Sequence, residues 1–187
     1  MAEQPARVTR NARAIAAAAA QLPRHPIILI DGPSGAGKST TADAVVAAWP
    51  GEAPLLVRMD DVYPGWGGLA QAGEHVETHL LEPLSHGVAG RWRRYDWHAE
   101  RLAEWHDVAL GTSLVIEGCG VLTRGNAARA NLRVWLDGAP DARKRRALER
   151  DRGGFDAHWD EWTAQMEAFE SRHHPRTLAD LVLWADD

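Results

Sequence analysis

The chain has 187 residues, 45% hydrophobic and 25% charged, with a formal net charge of −5 and a single cysteine, Cys119. That length and balance suit one globular domain with a substantial core. The charge argues against a nucleic-acid partner held by bulk electrostatics. One cysteine makes neither an internal disulfide nor a zinc cluster, and no apolar run nears the roughly 18 residues of a membrane span.

Residues 6–21 are rich in Ala and Arg and predict a helix, part of an N-terminal helical segment over 1–22 closed by Pro23 and Pro26. Residues 15–20 loosely imitate a signal peptide, but they are mostly alanine and lead directly into a strand. Ile27 to Ile30 is a continuous apolar run, the pattern of a buried parallel strand. A glycine-rich turn follows, then a helix from about Lys38 to Trp49, stopped by Pro50-Gly51. Leu55 to Met59 reads as the next strand and runs into Asp60-Asp61. Residues 64–73 hold four glycines and a proline and read as a loop. Helices are expected over about 74–84, weakened at its end by Pro83, and over about 98–109. Leu114 to Ile116 is a third strand, ending at Glu117-Gly118, and Leu132 to Leu136 a fourth. A basic helix over about 141–150, a break at Gly153-Gly154, a helix over 156–171 and a strand from Leu181 to Trp184 complete the chain. Strands alternating with helices predict an α/β domain of three layers with a mainly parallel sheet, spanning 1–187.

Residues 32–39 read Gly-Pro-Ser-Gly-Ala-Gly-Lys-Ser, a full G-x-x-x-x-G-K-[ST] match between a predicted strand and a predicted helix. The fold class is therefore a three-layer α/β/α P-loop NTPase fold. In such a loop the glycines let backbone N–H groups turn inward around phosphates, and the helix start adds its positive end. Gly32, Ser34, Gly35, Ala36, Gly37, Lys38, Ser39 and Thr40 are the candidate ATP-binding residues. Lys38 is placed to reach the β- and γ-phosphates, and the Ser39 hydroxyl to hold Mg2+. The motif alone does not separate a kinase from an ATPase or a GTPase.

Acids at strand ends sharpen the reading, because ligands of doubly wound sheets sit beyond the carboxyl ends of the strands. Asp60 and Asp61 end the second strand and Glu117 ends the third. Phosphoryl transfer needs one carboxylate to orient or deprotonate the acceptor hydroxyl and another in the magnesium shell. Asp60 suits the first role and Glu117 the second, although pattern alone divides Asp60 and Asp61 almost evenly.

These residues bring a resemblance into view. Asp31-Gly32-Pro33-Ser34-Gly35-Ala36-Gly37-Lys38-Ser39 resembles the opening of the uridine kinase, phosphoribulokinase and nicotinamide riboside kinase group. Met59-Asp60-Asp61-Val62-Tyr63 resembles that group's D-D/S-F-Y segment, which implies Asp60 as the catalytic base. Ile116-Glu117-Gly118 resembles its I-E-G segment, which implies that Glu117 lies near magnesium and the acceptor. Leu84 to Asp96 resembles a stretch of uridine kinases that ends in a tyrosine-aspartate pair, which implies that Tyr95 and His98 contact a nucleobase. Arg143, Arg146, Arg150 and Asp151 resemble the R-x-x-R-x-x-x-R-D pattern of the group's lid. The resemblance runs from residue 26 onward, with one departure. Uridine kinases hold the ribose with a histidine- and aspartate-rich segment after the second strand, where this chain has Gly-Trp-Gly-Gly-Leu-Ala-Gln-Ala-Gly.

Arg143, Lys144, Arg145, Arg146, Arg150 and Arg152 form a dense basic run. Helical spacing sets Arg143, Arg146 and Arg150 on one face. There they serve either as a lid over about 141–158, with Arg146 and Arg150 acting on the transferring phosphoryl group, or as a solvated face paired with Glu149 and Asp151. Most of the nine tryptophans are expected in packing roles, while Trp66 and Trp97 flank polar motifs. Cys119 reads as a small buried residue. His173 and His174 are adjacent, point apart and lack partners for a metal site.

The expected function is an ATP- and magnesium-dependent kinase acting on a hydroxyl of a small-molecule acceptor, uridine- or cytidine-like or a similar metabolite. A regulatory or switch-type ATPase without an acceptor is the alternative. No nucleic-acid or membrane partner is expected, and the cytoplasm is the expected compartment; the sequence sets neither the acceptor nor the oligomeric state.

Overall fold

A computed structural model describes residues 3–151 and 153–185. Five parallel strands form the central sheet: β1 (Ile27–Asp31), β2 (Leu55–Arg58), β5 (Leu114–Glu117), β6 (Leu132–Asp137) and β7 (Leu181–Trp184), in the order β2-β5-β1-β6-β7. β3 (Gly90–Asp96) and β4 (Arg101–Val108) stand apart as an antiparallel pair.

The inner strands β1, β5 and β6 are buried on both faces because they are apolar on both faces. Ile28 and Ile30 face one core with Val115 and Val134. That side is covered by α1 (Glu3–Ala19) through Ala12 and Ile15, and by α2 (Lys38–Ala47) through Ala42 and Val45. Leu29, Val57, Ile116 and Trp135 face the other core. It is closed by α3 (Leu69–Val76) and α7 (Trp159–His173), which contribute Leu69, Val76, Trp162, Met166 and Phe169. Each fully buried large side chain contributes about 1.5–3 kcal/mol, so the two cores hold the layers in register.

Register places the chemistry. Ile30 of β1 and Arg58 of β2 both lie level with Glu117 of β5. All three strands are parallel, so the P-loop, Asp60-Asp61 and Glu117 emerge at one edge of the sheet.

Three expectations are corrected. The helix expected over 98–109 is strand β4. Its Leu, Ala, Glu and Arg residues favour a helix locally, but cross-strand partners override that preference. Trp92 stacks on His106 at 4.3 Å between ring centroids, the Arg91 guanidinium lies 4.3 Å from the Trp105 ring, and Arg94 pairs with Glu104 at 2.6 Å. Asp96 Oδ1 accepts from the backbone N–H groups of His98 and Ala99 and so closes the turn between the strands.

The loop expected over 64–73 ends at Gly68, where α3 begins. The helix expected over 74–84 continues α3 through one wide turn, Glu77–Leu81, into α4 (Glu82–Ser85). A proline inside a helix loses a backbone donor and crowds the preceding turn, and the wide turn just before Pro83 relieves that crowding. Two short helices, α5 (Arg124–Arg129) and α8 (Pro175–Leu178), were not expected. α6 (Pro140–Asp151) is the basic helix.

The hairpin is tied to α3 by His75, whose Nε2 accepts from the Arg93 backbone N–H at 3.0 Å. Burial, helped by His79 and Arg93, lowers the His75 imidazole to about 4. The unfolded chain therefore binds this proton first. The bond's contribution is complete above the ordinary value near 6.5 and is lost as pH falls towards about 4. Thermal melts from pH 7 to 4 should show a larger fall for the wild type than for His75→Phe; identical slopes would contradict this role.

Candidate active site

The P-loop is built by steric necessity. Gly32 has φ 148°, and a Cβ there would strike the Leu136 carbonyl. Gly35 has φ 75°, and a Cβ there would strike the Arg143 carbonyl. Only glycine brings the loop this close to β6 and α6. Gly37, at φ 82°, caps α2 with open space beside it, so its Cα faces the room a phosphate needs.

Asp31 anchors the base of the loop. Its buried carboxylate accepts from the backbone N–H groups of Gly32 at 2.6 Å, Gly120 at 3.0 Å and Leu122 at 2.7 Å. Burial pushes this carboxyl up to about 7, against the pull of those donors and of Lys38.

Lys38 is buried at the mouth of α2. Its Nζ donates to the Pro33 carbonyl at 3.1 Å and lies 3.3 Å from Cys119 Sγ. Burial alone would lower this amine, but neighbouring Cys119, Glu117 and Asp31 more than offset it and hold the ammonium above its ordinary value. Burial also pushes the Cys119 thiol up, against the pull of Lys38. Cys119 is buried, as its residue type implied, and its neighbours are polar.

Glu117 is 2% exposed. Burial raises its carboxyl, the Asp60 charge adds to that, and Lys38, the nearby Ser39 hydroxyl and Arg58 pull it back. Arg58 spans Glu117 at 3.2 Å and Asp43 at 2.6 Å. Ser39 and Glu117 both bring hard oxygen atoms to the cavity beside the P-loop. Magnesium keeps several waters and takes phosphate oxygens, so it needs no larger cluster. Among the described residues no group of three or more His, Cys, Asp or Glu forms one.

These elements open into one cavity of about 860 Å³. Ser34, Gly35, Gly37, Lys38, Ser39 and Thr40 line one side of it. Gly32 and Ala36, grouped with them from sequence, do not line it: Gly32 packs on β6, and the Ala36 N–H donates to the Pro33 carbonyl at 3.2 Å. Asp60, Asp61 and Glu117 line it as well. The two aspartates differ in surroundings. The Asp60 charge bears on Glu117, Cys119 and Arg150. Asp61 is half-buried, and burial and the Asp60 charge push its carboxyl up while Arg58, Arg94 and His106 draw it down. Both carboxylates thus border the cavity, Asp60 exposed and Asp61 half-buried.

The basic helix divides. Arg146 and Arg150 line the cavity. Arg146 Nε donates to the Gly35 carbonyl at 2.8 Å, and Arg150 forms two bonds to Asp151, at 2.8 and 3.1 Å. Arg143 turns instead to the Gly138 carbonyl, 2.9 Å away, and to Asp137. Arg152 lies outside the described residues.

Five aromatic side chains also line the cavity: Tyr63, Trp66, Trp97, Phe155 and Trp162. Trp97 Nε1 donates to the Asp60 backbone carbonyl at 2.7 Å, and its ring sits 5.0 Å from that of Trp66. Trp66 in turn stacks on His158 at 4.4 Å and Phe155 at 5.3 Å. Tyr95 and His98 do not line the cavity. Tyr95 meets Trp97 edge-on at 5.3 Å, and His98 is exposed in the hairpin turn. Trp66 and Trp97 were marked by the motifs beside them; Phe155 and Trp162 carried no signal that separates a site aromatic from a core one.

The fold is that of the P-loop kinases. It matches a candidate uridine kinase from Bacillus stearothermophilus with a TM-score of 0.65, at 19% identity, over 97% of this chain and 99% of that one. A candidate fructose transport system kinase from Silicibacter sp. TM1040 also matches with a TM-score of 0.65, at 20% identity, over 94% and 98% of the two chains. In sequence, cytidylate kinases of Salmonella paratyphi B and Salmonella newport are 27% identical, covering 86% of this chain and 85% of theirs. No protein-family model matches the chain.

Proposed function

We propose that the protein is an ATP-dependent kinase that transfers the γ-phosphoryl group to a hydroxyl of a nucleoside, uridine- or cytidine-like, or of a similar metabolite. The observation that carries this reading is the shared cavity: the P-loop with Lys38 and the strand-end carboxylate Asp60 open into one space, which aromatic side chains line as well. A switch ATPase needs no second half. The carboxylates also favour a neutral hydroxyl over a phosphate ester as acceptor. Among the described residues the lining cations are Lys38, Arg146 and Arg150, on the P-loop and α6.

In this reading the P-loop amides, Lys38 and Ser39 seat the triphosphate, and Ser39 and Glu117 hold magnesium. A magnesium ion held there would neutralise part of the phosphate charge. Asp60 accepts the hydrogen bond of the acceptor hydroxyl and takes its proton as the new bond to phosphorus forms. Arg146 and Arg150 stabilise charge on the phosphoryl group in flight, and the segment at about 141–158 acts as a lid that excludes water. Trp66 and Trp97 take the acceptor contacts that the family resemblance assigned to Tyr95 and His98. The test is product formation: uridine, cytidine, other nucleosides, sugars and vitamin alcohols are each incubated with ATP and magnesium. A phosphorylated acceptor equimolar with ADP is expected. Slow ADP release indifferent to every acceptor would overturn the reading.

Two further results follow from these roles. Turnover should stop in excess chelator and return with magnesium; full activity in chelator would remove Ser39 and Glu117 from a metal role. Arg146→Ala and Arg150→Ala should each lower kcat by roughly 10²-fold, the usual worth of one positioned donor, with a smaller change in ATP affinity. Unchanged kcat in both variants would make α6 a solvated face.

A further inference from the structure

The two carboxylates at the end of β2 stand on a turn that its own backbone holds weakly. Met59–Asp61 is a single 3₁₀ turn, and a piece that short draws its stability from contacts outside it. Its flanks are fixed in the core. Met59, Val62 and Tyr63 are buried, and the Tyr63 hydroxyl donates to the Cys119 carbonyl at 2.8 Å. The N–H groups of Val62 and Tyr63 both return to the Met59 carbonyl. Asp60 and Asp61 lie between these flanks, Asp60 exposed and Asp61 half-buried.

The β3–β4 hairpin, which stands apart from the central sheet, reaches that stretch. Trp97 Nε1 donates to the Asp60 backbone carbonyl at 2.7 Å, a short bond for an N–H donor. A built turn presents the indole. Asp96 Oδ1 accepts from the N–H groups of His98 and Ala99, and the Arg94 guanidinium reaches both Asp96, at 3.5 Å, and Glu104, at 2.6 Å. The Trp97 ring meets Trp66 at 5.0 Å and Tyr95 at 5.3 Å. On the same strand, the bond from the Arg93 N–H to His75 ties the hairpin to α3.

Trp97 is 37% exposed, and water would serve a surface N–H nearly as well as a carbonyl does, so the net gain in stability from this bond is small. Its larger consequence is a fixed position for the backbone of residue 60. We propose that Trp97 is a positioning residue, whose indole N–H holds the Asp60–Asp61 turn where the carboxylate can meet the acceptor hydroxyl; the inference rests on the kinase reading above. Without the bond the carboxylate remains but its aim is lost, and a displacement of about 1 Å can cost roughly 10²-fold in rate. The P-loop lies on other elements and keeps its geometry.

The test replaces Trp97 by Phe and, separately, by β-(3-benzothienyl)alanine, which keeps the bicyclic shape with sulfur in place of the N–H. The second replacement decides the matter if Trp97→Phe fails to fold. Rates are measured with ATP, magnesium and uridine, or with the first acceptor of the screen above that the wild type phosphorylates. In both replacements kcat should fall roughly 10- to 100-fold, with the KM for ATP unchanged. The same replacements are then made in Asp60→Asn. With the proton acceptor already gone, the aim of the turn matters less, and the remaining rate should fall by less than about threefold. A residue that only supported the fold would lower the rate by the same factor in both backgrounds, and that equality would overturn the proposal. An unchanged kcat in both replacements would also overturn it. So would a rise confined to the KM for the acceptor, which would make Trp97 an acceptor contact only. In each of these results the wild type still forms product and the kinase stands. No product from any acceptor with the wild type would overturn the kinase reading and this inference together.

Discussion

Lys38→Ala is expected to reduce turnover by at least roughly 10³-fold and to weaken ATP binding. The ammonium is the only lysine charge lining the cavity among the described residues, and it sits at the start of α2 where the β- and γ-phosphates of a P-loop ligand lie. Preorganised charge in a water-poor site is worth several kcal/mol to a transition state. Lys38 is also 7% exposed, and its loss leaves Glu117 with Arg58 as its remaining ion-pair partner. A fall in stability therefore accompanies the fall in rate, and Lys38→Met, which keeps most of the stem, separates the two. The measurement is turnover and ATP affinity for both variants, with thermal melts to confirm the fold. Near-normal turnover in either folded variant would contradict the P-loop assignment.

The P-loop was legible because it is contiguous: eight residues carry the turn, the helix start and the charge, and no distant contact is needed to read them. Asp60 and Glu117 were legible for a related reason. Each follows a short, largely apolar strand, and parallel strands deliver their ends to one edge. Two kinds of feature could not be read. Residues 98–109 contain strong helix formers, and their strand identity comes from Trp92, Arg91 and Arg94 on the facing strand, which local pattern does not reveal. Phe155 and Trp162 lie in or beside a helix with an ordinary amphipathic pattern, and only three-dimensional packing turns them towards Trp66 and Tyr63. The basic helix was half legible. Spacing grouped Arg143 with Arg146 and Arg150, but Asp137 at the end of β6 draws Arg143 away from the cavity. Pattern does not separate Asp60 from Asp61, and both line the cavity, so the choice between them rests on the family resemblance.

That choice leads to the second large effect. Asp60→Asn should retain the fold and ATP binding and lose roughly 10²- to 10⁴-fold in rate, the span of general acid–base catalysis. Asparagine has nearly the same shape as aspartate but cannot accept the proton of the acceptor hydroxyl. The Trp97 bond to residue 60 uses its backbone carbonyl, so the substitution leaves that anchor in place. Asp61→Asn removes a half-buried carboxylate that burial and the Asp60 charge already destabilise; because the family resemblance gives the proton transfer to Asp60, this variant should leave the rate within about threefold. The decisive measurement is kcat and ATP affinity for Asp60→Asn and Asp61→Asn side by side, with the acceptor that the wild type phosphorylates. Loss of rate confined to Asp60→Asn, at unchanged ATP affinity, is the result this account predicts. Wild-type rates in both variants, or loss confined to Asp61→Asn, would contradict it.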